Sequence, residues 1–142
     1  MNLPDLRRQA ASGSVAAQTV LGICYLDGIE VEVSYEEAFS LLSKAARYGV
    51  PRAMANLARM YAKGLGVQRD LLVAVNLYEG AARAGEFFAQ VELGRMYSRG
   101  MGVSPDIATA RKWYSAALAQ QGRVADCEEL REARAYLAGQ KE

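Results

Sequence analysis

The chain has 142 residues, of which 51% are hydrophobic and 23% are charged, and its formal net charge is +1. These proportions are typical of a folded globular protein, and a net charge so close to zero gives no overall electrostatic argument for binding nucleic acid, a membrane surface or an acidic substrate. The sequence contains no histidine, which removes the most common general base and the usual serine and cysteine triads.

Signals for localisation are few. The apolar runs are far shorter than the ~20 residues that a helix needs to cross a bilayer, so we expect no membrane insertion. The opening segment MNLPDLRRQAASG lacks a basic region followed by an apolar one, which argues against a signal peptide and leaves open a leader removed earlier. Cys24 and Cys127 are far apart and lack metal-ligand spacing, so we predict reduced thiols, a cytoplasmic location and no metal site.

One phrase occurs twice in the chain. Residues 59–70 read RMYAKGLGVQRD and residues 95–106 read RMYSRGMGVSPD, an offset of 36 residues. Self-similarity at such a period indicates a repeat protein, in which stacked units bury a face that one unit cannot bury alone. We assign the recurring positions to structure: Leu21, Gly22, Tyr25, Gly28, Leu57, Tyr61, Gly64, Gly66, Leu93, Gly94, Tyr97, Gly100, Gly102 and Trp113.

The period divides a single domain into five segments. Each repeat reads as two helices, because apolar residues recur at i, i+3, i+4 and i+7 on both sides of a glycine-containing break. Stacking of these pairs predicts an all-α, right-handed superhelical solenoid. The predicted segments are an N-terminal capping helix at 5–16, repeats at 17–52, 53–88 and 89–124, and a C-terminal capping helix at 125–142.

The first repeat departs from the other two in the loop between its helices. Ser34 is a predicted N-cap, and Glu37 follows three residues later, as in a capping box. Glu30 stands where the other repeats have Gly66 and Gly102. We therefore expect this loop to differ in shape from its counterparts.

The second repeat shows the unit most clearly. Its first helix is predicted from about Ala53 to Ala62, and Gly64 follows where a helix end favours a left-handed residue. Asp70 is the predicted N-cap of the second helix, because its side chain can accept a hydrogen bond from a free N–H group of the first turn. Small residues should let the two helices of every repeat approach closely, with Gly22, Ala58 and Gly94 facing Ala38, Ala74 and Ala110.

The C-terminal capping helix shifts in register. Gly122 comes one residue later than the period requires, which indicates an insertion of one residue. Cys127, Leu130 and Leu137 are predicted to face the array, whereas Glu132 and its charged neighbours are predicted to meet water.

The columns A…LG..Y..G.GV..D…A..W…AA..G resemble those of Sel1-like repeats, relatives of the tetratricopeptide family. The resemblance covers about residues 5–125, and it implies an α/α superhelix and a non-catalytic adaptor that binds proteins without a cofactor. It also favours a bacterial source, and it names no partner. The copy at 89–117 carries the columns most fully, with Ala89, Leu93, Gly94, Tyr97, Gly100, Gly102, Val103, Asp106, Ala110, Trp113 and Ala117.

The resemblance also places the first helix of each repeat on the concave side. Residues opposite the core-facing stripe of these helices are then predicted to line a partner-binding groove. The groove holds five basic and two acidic residues, which predicts a protein or peptide partner with an acidic or carboxylate-bearing segment. Its residues are Arg52, Asn56, Arg59, Lys63, Phe88, Glu92, Arg95 and Arg99, together with Ala16, Val20, Ile23 and Asp27 of the first repeat.

Two expectations sharpen this hypothesis. Ala16, Val20 and Ile23 are predicted to form an apolar sub-pocket beside the basic residues. Reversing the charge of Arg59 and Arg95 together is predicted to abolish partner capture without changing helicity or melting. The same stripe is equally consistent with a solvated face of amphipathic helices, in which arginine pairs with glutamate.

Other functions are weighed against the adaptor. A short array also suits an immunity or antagonist protein that neutralises a cognate toxin, and this is the main alternative. A carboxylate hydrolase is a third hypothesis, but the available pair, Asp27 and Glu92, belongs to different repeats. Nucleic acid is disfavoured, because the stripe changes from apolar to basic along the array and offers no repeated readout column. Cys24 is predicted to be a small buried hydrophobe.

Overall fold

A computed structural model describes residues 2–139, and within them it contains eight α-helices and one isolated β-bridge. The predicted all-α solenoid is confirmed. Of the predicted capping helix at 125–142, the described part is helical from Glu128, and residues 140–142 lie outside the described residues. The helices are α1 (Leu3–Ala11), α2 (Val15–Asp27), α3 (Tyr35–Arg47), α4 (Pro51–Lys63), α5 (Leu71–Arg83), α6 (Phe87–Arg99), α7 (Ile107–Leu118) and α8 (Glu128–Gly139).

Helices that follow each other in the chain pack against each other along the whole array, from α1 against α2 to α7 against α8. The first helices of neighbouring pairs also meet directly, α2 with α4 and α6 with α8. We therefore call α2, α4, α6 and α8 the inner helices, and α3, α5 and α7 the outer helices. The solenoid consists of three inner–outer pairs, with α1 packed at one end and α8 at the other.

The outer helices all begin in the same way. Each N-cap side chain accepts hydrogen bonds from the first turn at 3.1 to 3.3 Å, as predicted for Asp70. Each N-cap also donates its own N–H to a tyrosine carbonyl of the preceding inner helix at 2.9 to 3.0 Å, from Ser34 to Tyr25, Asp70 to Tyr61 and Asp106 to Tyr97. The Ser34 N–H is used in this contact, so the reciprocal capping-box bond expected from Glu37 is replaced by a bond between helices.

The glycines in the loops between paired helices are needed for two different structural reasons. Gly64 ends α4 in the left-handed conformation, with φ of 69°, as predicted. A Cβ on Gly66 would lie 2.4 Å from the Cβ of Tyr35, because this loop rests on the start of the preceding outer helix. Glu30 takes the place of Gly66 in the first pair and adopts a similar left-handed φ of 61° with an exposed side chain. The predicted difference in loop shape is therefore wrong at this residue.

The close approach of the paired helices is confirmed, but its partners are corrected. Gly22 and Gly94 are buried. A Cβ on Gly22 would lie 2.8 Å from the Cγ of Leu42, and a Cβ on Gly94 would lie 2.8 Å from the ring of Tyr114. A large outer-helix side chain thus fills the space that each glycine leaves, in place of the alanines that the columns suggested.

The core is continuous from one pair to the next. Tyr61 and Leu77 pack against the clusters on both sides of the second pair, and Trp113 lies in one of these clusters, only 7% exposed. At the C-terminal end, Cys127, Leu130 and Leu137 pack onto the array, as predicted. No helix in the described part of the chain is both long enough and apolar enough to cross a membrane.

Candidate partner-binding surface

The predicted groove residues other than Ile23 lie on the exposed side of the inner helices. Residues between them, such as Leu57 and Leu93, are buried in the core, so the helical period separates the two faces as expected. We call the following set the inner stripe: Arg52, Asn56, Arg59, Lys63, Phe88, Glu92, Arg95 and Arg99. Each of its side chains is exposed or half-buried.

Arg59 is not free on this surface. Its Nη2 atom lies 2.6 Å from Oδ1 of Asp27, which belongs to α2 and so to the preceding pair. Both side chains are about one third exposed, at 32% and 38%, and such half-exposed pairs typically contribute less than about 1 kcal/mol. The pair therefore bridges two inner helices and fixes the guanidinium of Arg59 in one position.

Arg95 is held more firmly, by carboxylates on two helices. Its Nε and Nη2 atoms donate to the two carboxylate oxygens of Glu132 at 2.8 and 2.5 Å, a bidentate contact from α6 to α8. Glu92 pairs with its Nη1 atom within α6. Tyr114 donates its hydroxyl to Glu132 as well, at 2.9 Å. The four side chains form one network that joins the third pair to the capping helix.

The network changes the acidity of its members. The hydrogen bond from Arg95 holds the pKa of Glu132 below its ordinary value, with a smaller contribution in the same direction from the Tyr114 hydroxyl. Burial raises the pKa of Tyr114, and the hydrogen bond to Glu132 raises it further. Glu132 is therefore an ionised acceptor at neutral pH, and Tyr114 remains a protonated donor.

Sequence reasoning missed Glu132, which was expected to meet water. Allowing for the one-residue insertion at Gly122, Glu132 falls one period after Arg95, so it occupies the next place in the same row of inner-helix residues. With Glu132 included, this face carries three carboxylates opposite its five basic residues. The groove is less basic than the sequence suggested.

Three cations of the inner stripe are exposed and form no ion pair within residues 2–139: Arg52, Lys63 and Arg99. Asn56 uses its side-chain amide to donate to the carbonyl of Arg52 at 2.8 Å. One of its two N–H groups therefore bonds its own helix, and the second N–H group and the carbonyl oxygen are available to a peptide.

The apolar part of the predicted groove is smaller than expected. Ile23 is only 7% exposed and packs in the core, so the sub-pocket predicted from Ala16, Val20 and Ile23 does not form as an open apolar site. Ile23 faces the core because α2 turns its side chain toward α3 and α4. Phe88 is 55% exposed and stands against Phe87 in an edge-to-face contact with ring centroids 5.1 Å apart.

The remaining candidates for chemistry are structural. Cys24 is buried, and burial raises the pKa of its thiol, so it behaves as the small hydrophobe that was predicted. Cys127 is likewise unpaired. Within residues 2–139, no group of three potential metal ligands comes together.

A solenoid of helix pairs with an exposed inner face defines a class, the helical-repeat proteins. The model of the Sel1 repeat matches residues 15–49, 51–86 and 88–121. The chain belongs to the Sel1 repeat family, as its columns predicted. Proteins of this family are typically protein–protein interaction modules.

Solved structures agree with this assignment. The chain is similar to a Sel1 repeat protein from Oxalobacter formigenes, with 42% identity over 96% of this chain and 97% of that one and a TM-score of 0.78. It is also similar to c5321, a protective antigen of uropathogenic Escherichia coli strains displaying an SLR fold, with 40% identity over 82% of this chain and 25% of that one and a TM-score of 0.77.

A more distant similarity, to Helicobacter pylori cysteine rich protein B, has 23% identity over 81% of this chain and 87% of that one, with a TM-score of 0.66, and it supports the fold alone. A comparison with curated proteins gave no match.

Proposed function

We propose that this protein is a non-catalytic binding module that holds an acidic segment of a partner polypeptide against its inner helices. The observation that carries this proposal is the presence of three exposed cations, Arg52, Lys63 and Arg99, on two neighbouring inner helices, none of which forms an ion pair within the described residues. The resemblance to Sel1-like repeats implies that this face is concave, and cations on a concave wall attract a carboxylate more strongly than they would on a flat surface, because the wall limits screening by solvent.

The ion pairs on the same face support a defined binding geometry. Asp27 pairs with Arg59, and Glu92 and Glu132 pair with Arg95, so the middle of the inner stripe is occupied by ion pairs in which carboxylates outnumber arginines. An acidic ligand then has its best contacts at the two ends of the stripe, with Arg52 at one end and with Lys63 and Arg99 at the other. Arg52 and Phe88 occupy the same column of neighbouring repeats, and Phe88 supplies an exposed aromatic ring. The ligand we propose therefore carries an acidic residue close to an apolar one.

We also propose that the protein is not an enzyme. The carboxylates considered for a hydrolase, Asp27 and Glu92, form ion pairs with Arg59 and Arg95. Sel1 repeat proteins are also generally non-catalytic scaffolds. We further propose a bacterial source, since the similar structures from Oxalobacter formigenes and Escherichia coli are bacterial, and a cytoplasmic location, since both cysteines are unpaired.

The experiment uses peptides selected from a random library displayed on phage, with binding then measured by calorimetry. We expect the selected peptides to be enriched in aspartate and glutamate. The double variant Lys63→Glu and Arg99→Glu should weaken their binding by about tenfold, because two exposed ion pairs of up to ~1 kcal/mol each are replaced by repulsion. Binding should also weaken as salt is raised.

The matched control reverses two exposed cations on outer helices, Arg83→Glu and Lys112→Glu, which changes the net charge by the same amount. Lys63 and Arg99 lie in the last turn of their helices, where a cation also favours helix stability, so melting is measured for both double variants. If the two double variants weakened peptide binding equally, the loss would be explained by the change in net charge and not by the inner stripe. Unchanged binding in the inner-face variant would contradict the proposal.

A further inference from the structure

The inner helices of the first and third pairs have a glutamine at the same position of the repeat. Each glutamine donates a hydrogen bond to the helix that precedes it. Gln18 and Gln90 are two repeat lengths apart. Each donates its side-chain amide to a carbonyl of the preceding helix at 3.2 Å, Gln18 to Ala10 and Gln90 to Ala82. Both are more than nine-tenths buried, at 8% and 6% exposure. The side-chain oxygen of each glutamine is therefore oriented alike.

In the third pair that oxygen has a partner. The amide nitrogen of Gln120 lies 2.9 Å from Oε1 of Gln90 and 2.9 Å from the backbone carbonyl oxygen of Gly85. One side-chain carboxamide thus satisfies two acceptors at once, with its two N–H groups.

In the first pair the same oxygen has no partner. Oε1 of Gln18 is buried without a hydrogen bond, and the carbonyl of Gly13, which corresponds to that of Gly85, accepts none within the described residues. Tyr48 stands at the position of Gln120, and it is 76% exposed rather than turned inward. A buried acceptor without a partner is unfavourable, because it has lost its hydrogen bonds to water without replacement.

Beside this buried acceptor lies an open cleft of about 280 Å³, lined by Gly13, Gln18, Lys44, Arg47 and Tyr48, and a ligand in the cleft reaches Oε1 when a rim side chain shifts aside. It lies on the edge of the solenoid, where the turn between α1 and α2 meets the turn between α3 and α4. In the second pair, Met54 takes the glutamine position and no such acceptor exists. The cleft is separate from the inner stripe, which shares none of these residues.

We propose that this cleft binds a primary carboxamide, presented as a glutamine or asparagine side chain of a partner protein. Its two N–H groups donate to Oε1 of Gln18 and to the carbonyl of Gly13, as Gln120 does in the third pair. Its own carbonyl oxygen accepts from Lys44 or Arg47 at the rim.

The rim also excludes other ligands. Lys44 and Arg47 repel a cation such as a lysine ammonium group. A carboxylate is attracted to the rim but has no N–H group to offer the two acceptors inside. The exposed ring of Tyr48 covers the apolar part of a long side chain. A neutral group with two N–H donors and one acceptor oxygen meets all of these conditions.

The test is a nuclear magnetic resonance titration of the ¹⁵N-labelled full chain with N-acetyl-glutamine methylamide. We expect saturable shifts of the Gln18 side-chain amide and of the Gly13 and Tyr48 backbone amides at millimolar concentration. N-acetyl-methionine methylamide has the same backbone amides and no carboxamide side chain, and it should bind at least tenfold more weakly, as expected for the loss of one or two hydrogen bonds.

Two variants assign the effect to the cleft. Gln18→Met removes the acceptor and follows the natural choice in the second pair, so it should fold and lose the titration. Tyr48→Gln changes an exposed position, and the new glutamine should donate to Gln18 and Gly13 as Gln120 donates to Gln90 and Gly85. It should therefore abolish binding of the probe and raise the melting temperature. Lys63→Glu lies on the inner stripe and should leave the titration unchanged, so the proposed cleft and the proposed function of the inner stripe are tested separately.

Three results would overturn the inference. Equal binding of the glutamine and methionine probes would remove the carboxamide from the recognition. Retention of binding in both Gln18→Met and Tyr48→Gln would place the site elsewhere. Tighter binding of free glutamine than of the capped residue would assign the cleft to a small metabolite instead of a protein side chain.

Discussion

The first and third helix pairs end their inner helices in the same way and differ in the side chains around them. Gly28 and Gly100 end the two inner helices with the same φ of 70°. Outside the core, Gln120 fills a position in the third pair that stays open in the first, and Glu132 closes a network that the first pair lacks. Positions that recur in every repeat therefore determine how the pairs stack. Positions that differ between repeats can contact a partner.

The largest effect is expected at the contact between the helices of the third pair. In Gly94→Leu the new side chain must displace the ring of Tyr114, which is buried and held by Glu132. We expect the free energy of unfolding to fall by about 3 kcal/mol in denaturant titrations, as for severe overpacking. Gly139→Leu is the control, because a Cβ added at Gly139 would meet no packing neighbour within 4 Å in the described part of the chain. An unchanged stability of Gly94→Leu would mean that this contact is loose.

A smaller effect is expected in the loops that rest on preceding outer helices. Gly102→Ala should lower stability by about 2 kcal/mol, because its φ is 74° and the new Cβ would lie 2.7 Å from that of Leu71. Glu30→Gly should instead raise stability by about 0.5 kcal/mol, since it relieves a left-handed residue at an exposed position. Thermal unfolding should show a lower melting temperature for Gly102→Ala and a higher one for Glu30→Gly. Melting temperatures that change in the same direction would contradict this prediction.

The ion-pair network should make the third pair sensitive to acid. The folded pKa of Glu132 lies below the ordinary 4.5, so its stabilising contribution is complete above that pH and is lost as pH falls through the lower folded value. Glu132→Gln should lower stability by about 1.5 kcal/mol at neutral pH. The difference from the unmodified protein should shrink in denaturant titrations below pH 4.5.

Glu32→Gln, in an exposed loop, is the control for this pH series and should have a small effect at every pH. A difference between Glu132→Gln and the unmodified protein that stays constant from neutral to acid pH would show that the ionised carboxylate of Glu132 is not the stabilising form.

The smallest effect on stability is expected where Gln120 of the third pair is compared with Tyr48 of the first pair. Gln120→Ala leaves the buried side-chain oxygen of Gln90 and the exposed carbonyl of Gly85 without a donor, so we expect a loss of about 1 kcal/mol. Tyr48→Ala, at the same position of the first pair, removes an exposed side chain and should change stability by less than about 0.5 kcal/mol. Equal losses in thermal unfolding would mean that the two edges are equivalent after all.

Much of the fold could be predicted because the repeat supplies its own alignment. The N-cap role of Asp70 and the left-handed Gly64 followed from local backbone chemistry, which depends only on neighbouring residues. The surface position of the inner stripe followed from the helical period. These features need no knowledge of distant contacts.

The rest depended on contacts that the period does not encode. Glu132 reaches Arg95 only because an insertion at Gly122 shifts α8 by one residue, and the side-chain geometry across two helices decides the pairing. The partner of Gly94 is Tyr114, a choice that depends on how far each outer side chain extends. The open acceptor of Gln18 became visible only beside the filled position at Gln90.

The most direct test of the central claim is the location of a bound acidic peptide on the protein, mapped by chemical shifts of the ¹⁵N-labelled chain. The account predicts that the largest changes fall on the inner helices, around Lys63, Phe88 and Arg99, with little change on α3, α5 and α7. Changes concentrated on those outer helices would contradict it.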